Sequence, residues 1–219
     1  MKLIDDLRAE HDLIEQVVGS LRTFVDLRLR GEGATADGPR FVAFFRLFAG
    51  DFHHAKEEDT LFPALQTMAD LPAQGPIAVL TEDHRQLGAV LGEMDALLAT
   101  ASLNDEQRQR LQMLAIEYSH GLWHHIDAEN SVLLPESEGR LAKKGVRELP
   151  SRPMTADEAA ARQSAADLLE RYPPAFDPTI VRGEGCISCR AFPDACRGLE
   201  REWWNEWEWE EFEDHVGGD

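Results

Sequence analysis

The chain has 219 residues, 43% of them hydrophobic and 29% charged, and a formal net charge of −19. That length suits one large domain or a domain of about 140 residues with an appendage, and the composition is that of a soluble globular protein. The charge argues against nucleic acid and membrane surfaces as main partners.

No apolar run approaches the roughly eighteen residues of a membrane span, and the acidic start MKLIDDLRAEHD lacks the apolar centre of a signal peptide. A cytoplasmic location is therefore expected. Three Cys, an odd number, do not suggest a disulfide framework.

Four helical patterns fill the region up to Pro135. Segment 2–30 places Ile4, Leu7, Ile14, Val18, Leu21 and Val25 in steps of three and four, with His11 on the same stripe. Segment 39–70 opens with Pro39, a favoured first helical residue, and runs through Phe41, Phe44, Phe45, Phe48 and Phe52. Pro63 is expected to bend or interrupt its last turns. A third helix from near Pro76 carries Ile77, Leu80, His84, Leu87, Leu91, Met94 and Leu98 in phase. Asn104, with Gln107 three residues on, starts a fourth helix to about Leu134 that aligns Leu111, Leu114, Tyr118, Leu122, His125 and Val132.

Strand patterns are lacking. The expected fold is all-α: an antiparallel up-down four-helix bundle over residues 1–136, with a C-terminal extension over 137–219. In the extension a polar connector precedes a fifth helix at about 155–172, whose capping box is Thr155 and Glu158. A Cys-bearing segment at 183–198 and an acidic, Trp-rich tail at 199–219 follow.

The chemistry lies in a duplication. HHAKEEDTLFP at 53–63 and HIDAENSVLLP at 125–135 share a His, a Glu four later, a Leu eight later and a Pro ten later. Residues four apart on a helix present neighbouring side chains, so His53/Glu57 and His125/Glu129 each aim an imidazole and a carboxylate at one point. His11 and His84 add one imidazole from each remaining helix. Packing explains one such residue easily, but not the whole ordered set.

Thiolates are absent from the bundle, which disfavours a closed Cys-rich zinc site, whereas four imidazoles and two carboxylates suit iron or manganese. The natural division is two His per metal with both Glu bridging. It leaves room for an oxo or hydroxo bridge and a small exogenous ligand such as O₂, NO or peroxide.

His54 and Glu58 form a rival pair, but the duplicate carries Ile126 and Asn130 there. Both are retained as supporting residues beside the ligands, and so is Tyr118, two turns before His125. His120 and His124 read as a polar face. In the extension, Cys186, Cys189 and Cys196, with His215 as a distant fourth, form a possible zinc or redox-thiol site. Trp203, Trp204, Trp207 and Trp209 among many Glu suggest either a docking surface for a basic protein partner or packing back onto the bundle.

The ordered set His11, His53-x-x-x-Glu57, His84, His125-x-x-x-Glu129, with LFP or LLP closing each half, resembles the hemerythrin-like (HHE cation-binding) family over residues 1 to about 136. The resemblance implies a bundle with a non-haem di-iron centre, iron being favoured over manganese or zinc, on those six ligands. The HIDAEN form of the second motif is also similar to di-iron proteins of iron–sulfur cluster repair. Oxygen-carrying hemerythrins have a further His one turn after the third-helix ligand, where this chain has Gly88, which turns the reading away from reversible O₂ carriage.

Two classes of function fit. One is a di-iron oxidoreductase binding or reducing O₂, NO or peroxide in oxidative or nitrosative stress or iron–sulfur repair. The other is a non-enzymatic O₂, NO or iron sensor, or an iron-delivery protein, that signals through the C-terminal segment.

Overall fold

A computed structural model describes residues 1–71 and 76–177. Among them all regular secondary structure is helical. Helix α1 spans Lys2–Leu29. Helix α2 runs over 38–68, opening α-helically at Gly38–Ala43, widening to π-helical geometry at Phe44–His54 and Glu57–Leu61, and closing at Phe62–Met68. Helix α3 is Pro76–Ala99. Helix α4 runs over 105–143, with a π turn at Glu129–Leu133, and α5 is Ala156–Arg171. The expected caps form: Asn104 with Gln107 at α4 and Thr155 with Glu158 at α5, each satisfying otherwise orphaned backbone N–H groups.

The four long helices form the expected antiparallel bundle, in which α1 and α3 each pack against both α2 and α4. The direction of the chain shows in the core. At one end, Leu3, Ile4 and Leu7 of α1 meet Leu61 and Leu65 of α2, Ile77 and Leu80 of α3, and Leu133 and Leu134 of α4. At the other, Ile14 to Val25 of α1 meet Phe41 to Phe52, Leu87 to Leu98 and Leu111 to Ile126. Each fully buried Leu or Phe contributes roughly 1.5–3 kcal/mol. The two cores are distinct clusters, and between them each helix carries polar side chains in its apolar stripe.

Pro63 and Pro135 do not end their helices. Each sits near the start of an α-helical run that directly follows a five-residue π turn, Glu57–Leu61 or Glu129–Leu133. The wider turn accommodates a ring that would clash with the preceding carbonyl of a regular helix. Helix α4 consequently runs to Lys143, so the expected end near Leu134 is corrected by about two and a half turns, into the expected polar connector. The duplicated Leu eight residues after each His gains its reason here: Leu61 and Leu133 are fully buried directly below the polar layer.

Helix α5 does not stand apart. Its Ala165 and Leu168, with Tyr172, join the upper core, and it lies along α2 and α1. The Tyr172 hydroxyl donates to Asp37 at 2.7 Å, and Arg152 pairs with Glu158 at 2.6 Å. Beyond α5 the Ala175 N–H donates to the Gly19 carbonyl at 3.0 Å. A Cβ on Gly19 would lie 2.6 Å from the Ala175 oxygen, so the strap requires glycine there. The cysteines Cys186, Cys189 and Cys196, His215 and the Trp-rich tail lie outside the described residues.

Candidate metal centre

The apolar stripe of each helix gives way at the same level. On α1, His11 falls between Leu7 and Ile14; on α3, His84 falls between Leu80 and Leu87. On α2 and α4 the pairs His53/Glu57 and His125/Glu129 fill that level. All six are buried, with His11, Glu57 and Glu129 at 0% exposure.

Their inward atoms converge in two groups: the donor atoms of His11, His53, Glu57 and Glu129 lie within 4.8 Å of one another, as do those of His54, Glu57, His84 and His125. Glu57 belongs to both. Its Oε1 is 3.6 Å from His53 Nε2 and its Oε2 is 3.5 Å from His84 Nε2. Glu129 Oε2 lies 3.1 Å from His11 Nε2 and 3.3 Å from His125 Nε2.

The outward nitrogens explain the convergence. His11 Nδ1–H donates to Asn130 Oδ1 at 2.8 Å, His53 to Glu10 at 2.8 Å, His84 to Glu58 at 2.6 Å and His125 to Asp83 at 3.4 Å. Each bond fixes the tautomer that leaves Nε2 as an inward lone pair, the arrangement found behind metal-ligating histidines. Every acceptor sits on a helix other than that of the His it holds, so the four bonds form a closed ring in which α1 donates to α4, α4 to α3, α3 to α2 and α2 to α1. Glu10 is itself gripped by Lys56 at 2.5 Å and 2.6 Å.

These residues fit a cation. His11 Nε2 and both oxygens of Glu57 and of Glu129 are buried without a hydrogen-bond partner, and an uncompensated buried carboxylate is costly. His84 Nε2 and His125 Nε2 face each other at 3.0 Å, close to the separation of adjacent nitrogens at about 2.1 Å from one ion.

Electrostatics agree. Burial and the neighbouring Glu129 push the Glu57 carboxyl well above its usual range. Burial opposes ionisation of Glu129 as well, but His125, His11 and His84 bring it down to about 2. Burial, then His11, drives the His53 pKa well below normal, and burial, then His84, does so for His54. Burial also works against a charged His125, yet Glu129 and Asp83 raise its pKa.

The other expected residues are placed as follows. Glu58 hydrogen-bonds His84, and His54 stacks on His84 with ring centroids 3.8 Å apart and planes 10° apart. Tyr118 lies in the upper core, edge-on to Phe45 at 5.1 Å, where burial raises its pKa. His120 donates to Asp177 at 2.8 Å. Glu10, Lys56, Asp83 and Asn130 were not singled out from the sequence. The available signal was adjacency, since Glu10, Asp83 and Asn130 each neighbour a candidate ligand in the chain.

A cavity of about 940 Å³ opens between α2 and α3 onto His54 and His84, with Asp51, Glu58, Asp59 and Glu82 in its wall against a single cation, Arg85, which pairs with Glu82. No helix among the described residues is long and apolar enough to cross a membrane.

Neither the curated proteins nor the solved structures include a match to the chain. A family model, the hemerythrin HHE cation binding domain, matches residues 2–137, which contain all seven converging residues. The buried cluster of imidazoles and carboxylates thus fits a metal site, and the chain belongs to the hemerythrin HHE cation-binding family.

Proposed function

We propose that the bundle holds two iron ions, one on His11 and His53 and the other on His84 and His125, with Glu57 and Glu129 between them. The observation that carries this reading is Glu57, whose two oxygens face two separate groups of donors. A single ion would need only one of those groups. Iron fits a set of imidazoles and carboxylates without thiolate.

We infer further that the centre serves reaction with a small oxidant, O₂, NO or peroxide. When bound, a pair of irons supplies the electrons for such chemistry. The protein supplies orientation through the four Nδ1 bonds and exclusion of water through Leu61 and Leu133 below and Phe52 and Ile126 above. Because burial and Glu129 favour the protonated Glu57 carboxyl, entry of a cation should displace a proton there.

A second reading, iron storage or delivery, draws on the cavity: its acidic wall favours passage of cations over anions. Metal analysis of anaerobically purified protein tests the first step, and two irons per chain are expected; zinc alone would defeat the di-iron assignment. Stopped-flow mixing of the reduced protein with O₂, NO and peroxide then separates the readings. Multiple turnover supports reaction with an oxidant, a single stable adduct supports sensing, and release of iron without turnover supports delivery.

A further inference from the structure

The duplicated motif is not symmetric beside its ligands. Where the second copy has Ile126, buried in the upper core at 1% exposure, the first has His54. Each of the other four imidazoles in the layer commits Nδ1 to an acceptor on another helix. His54 makes no hydrogen bond of that kind among the described residues, although its ring is packed flat on His84. Its donor atom lies within 4.8 Å of those of Glu57, His84 and His125. On α3, one turn past His84, a Cβ at Gly88 would meet nothing within 4 Å, so no side chain from that helix fills the neighbouring space. The cavity between α2 and α3 opens at this side of the layer, and His54 and His84 both line it.

We propose that His54 is a fifth imidazole ligand, which makes the two metal positions unequal: two imidazoles at one and three at the other. The position with three imidazoles, on His54, His84 and His125, is the one that meets the cavity. The position on His11 and His53 is closed, since both rings are at most 1% exposed. The inequality gives the centre a direction. A cation entering through the acidic wall meets His54 and His84 before any other ligand, and the imidazole-rich position is the exchangeable one.

This assignment rests on the two-metal reading. Anaerobic titration of the metal-free full chain with Co(II), followed by calorimetry and by visible absorption, tests both. The wild type should take up two ions. His54→Ala and His54→Gln should each weaken one of them by at least about tenfold, the lower end of what loss of a supporting hydrogen bond costs. The absorption of that ion should change, while the other keeps its affinity and spectrum. His11→Ala should affect the opposite ion. Retention of both affinities within twofold, with unchanged spectra, in two His54 variants of wild-type helicity would overturn the assignment of His54 alone. Uptake of fewer than two ions by the wild type would instead overturn the two-metal reading beneath it.

Discussion

The two halves of the bundle, α1–α2 and α3–α4, present the same set of converging side chains by the same means and surround it differently. Each half offers a lone His, a His and Glu four apart, a π turn and a buried Leu. Around these the first half adds His54, Lys56 and Glu58 where the second has Ile126, Ala128 and Asn130. Glu10, which holds His53, is neutralised by Lys56, whereas Asp83, which holds His125, sits farther away at 3.4 Å. Helix α5 leans on α1 and α2. The comparison teaches that convergence is set by the duplicated positions and inequality by their chain neighbours.

The strongest way to break the comparison is to treat Glu57 and Glu129 as equivalents. Glu57 gives a separate oxygen to each group of donors, whereas Glu129 reaches His11 and His125 through one oxygen, so Glu57→Ala should leave the chain with no ion held tightly, while Glu129→Ala should retain one, as read by metal content after desalting. Because the Glu57 carboxyl is buried without a partner, Glu57→Leu should also raise the melting temperature of the metal-free chain.

Removal of the supporting bonds should have a smaller effect, with a gradient between halves. Glu10→Gln should weaken metal binding toward the upper end, and Asp83→Asn toward the lower end, of the roughly 10–100-fold range for such partners. Equal losses in calorimetric titration would show that the Lys56 pair has no influence. Gly19→Ala should leave metal content intact but cost about 1–3 kcal/mol on thermal melting, through its contact with Ala175.

The smallest effect belongs to α5. Glu158 is held down to about 2 by its hydrogen bond with Arg152, against burial, and burial likewise opposes a lowering at Asp37 that Tyr172 and Arg40 bring about. Both folded pKa values are depressed. Their stabilisation is therefore present above the ordinary carboxylate range and lost as pH falls through the folded values, between about pH 4.5 and 2 for Glu158. Arg152→Ala should lower the melting temperature by about 2–4 °C at neutral pH. Hydrogen exchange should rise in α5, α1 and α2 more than in α3.

Much of this was legible in the chain, and the misses share a cause. His11, His53, Glu57, His84, His125 and Glu129 were readable because i,i+4 spacing and a shared offset to Pro are local signals. The ring of acceptors was not, because Glu10 serves His53 and Glu58 serves His84, partners that only packing brings together. Pro135 read as a stop because a regular helix rejects it, and the π turn before it leaves no sequence signature of its own. The cap of α5 was legible at Thr155, but its docking was not, because Ala161, Ala165 and Leu168 make a narrow stripe. Internal alignment treated His54 and Glu58 as a unit, and the structure gives them different neighbours: Glu58 holds the outward nitrogen of His84, while His54 covers its face.

The closed ring of Nδ1 bonds has a mechanical consequence. Each helix both gives one hydrogen bond to the ring and receives one. Sliding any helix by a turn, about 5.4 Å, therefore breaks two bonds at once and sets buried carboxylates against leucine. Leucine stripes alone tolerate such slips, since one turn of Leu resembles the next. The polar layer acts as a key cut at a single depth, so that four helices can lock only at the level where all their imidazoles meet.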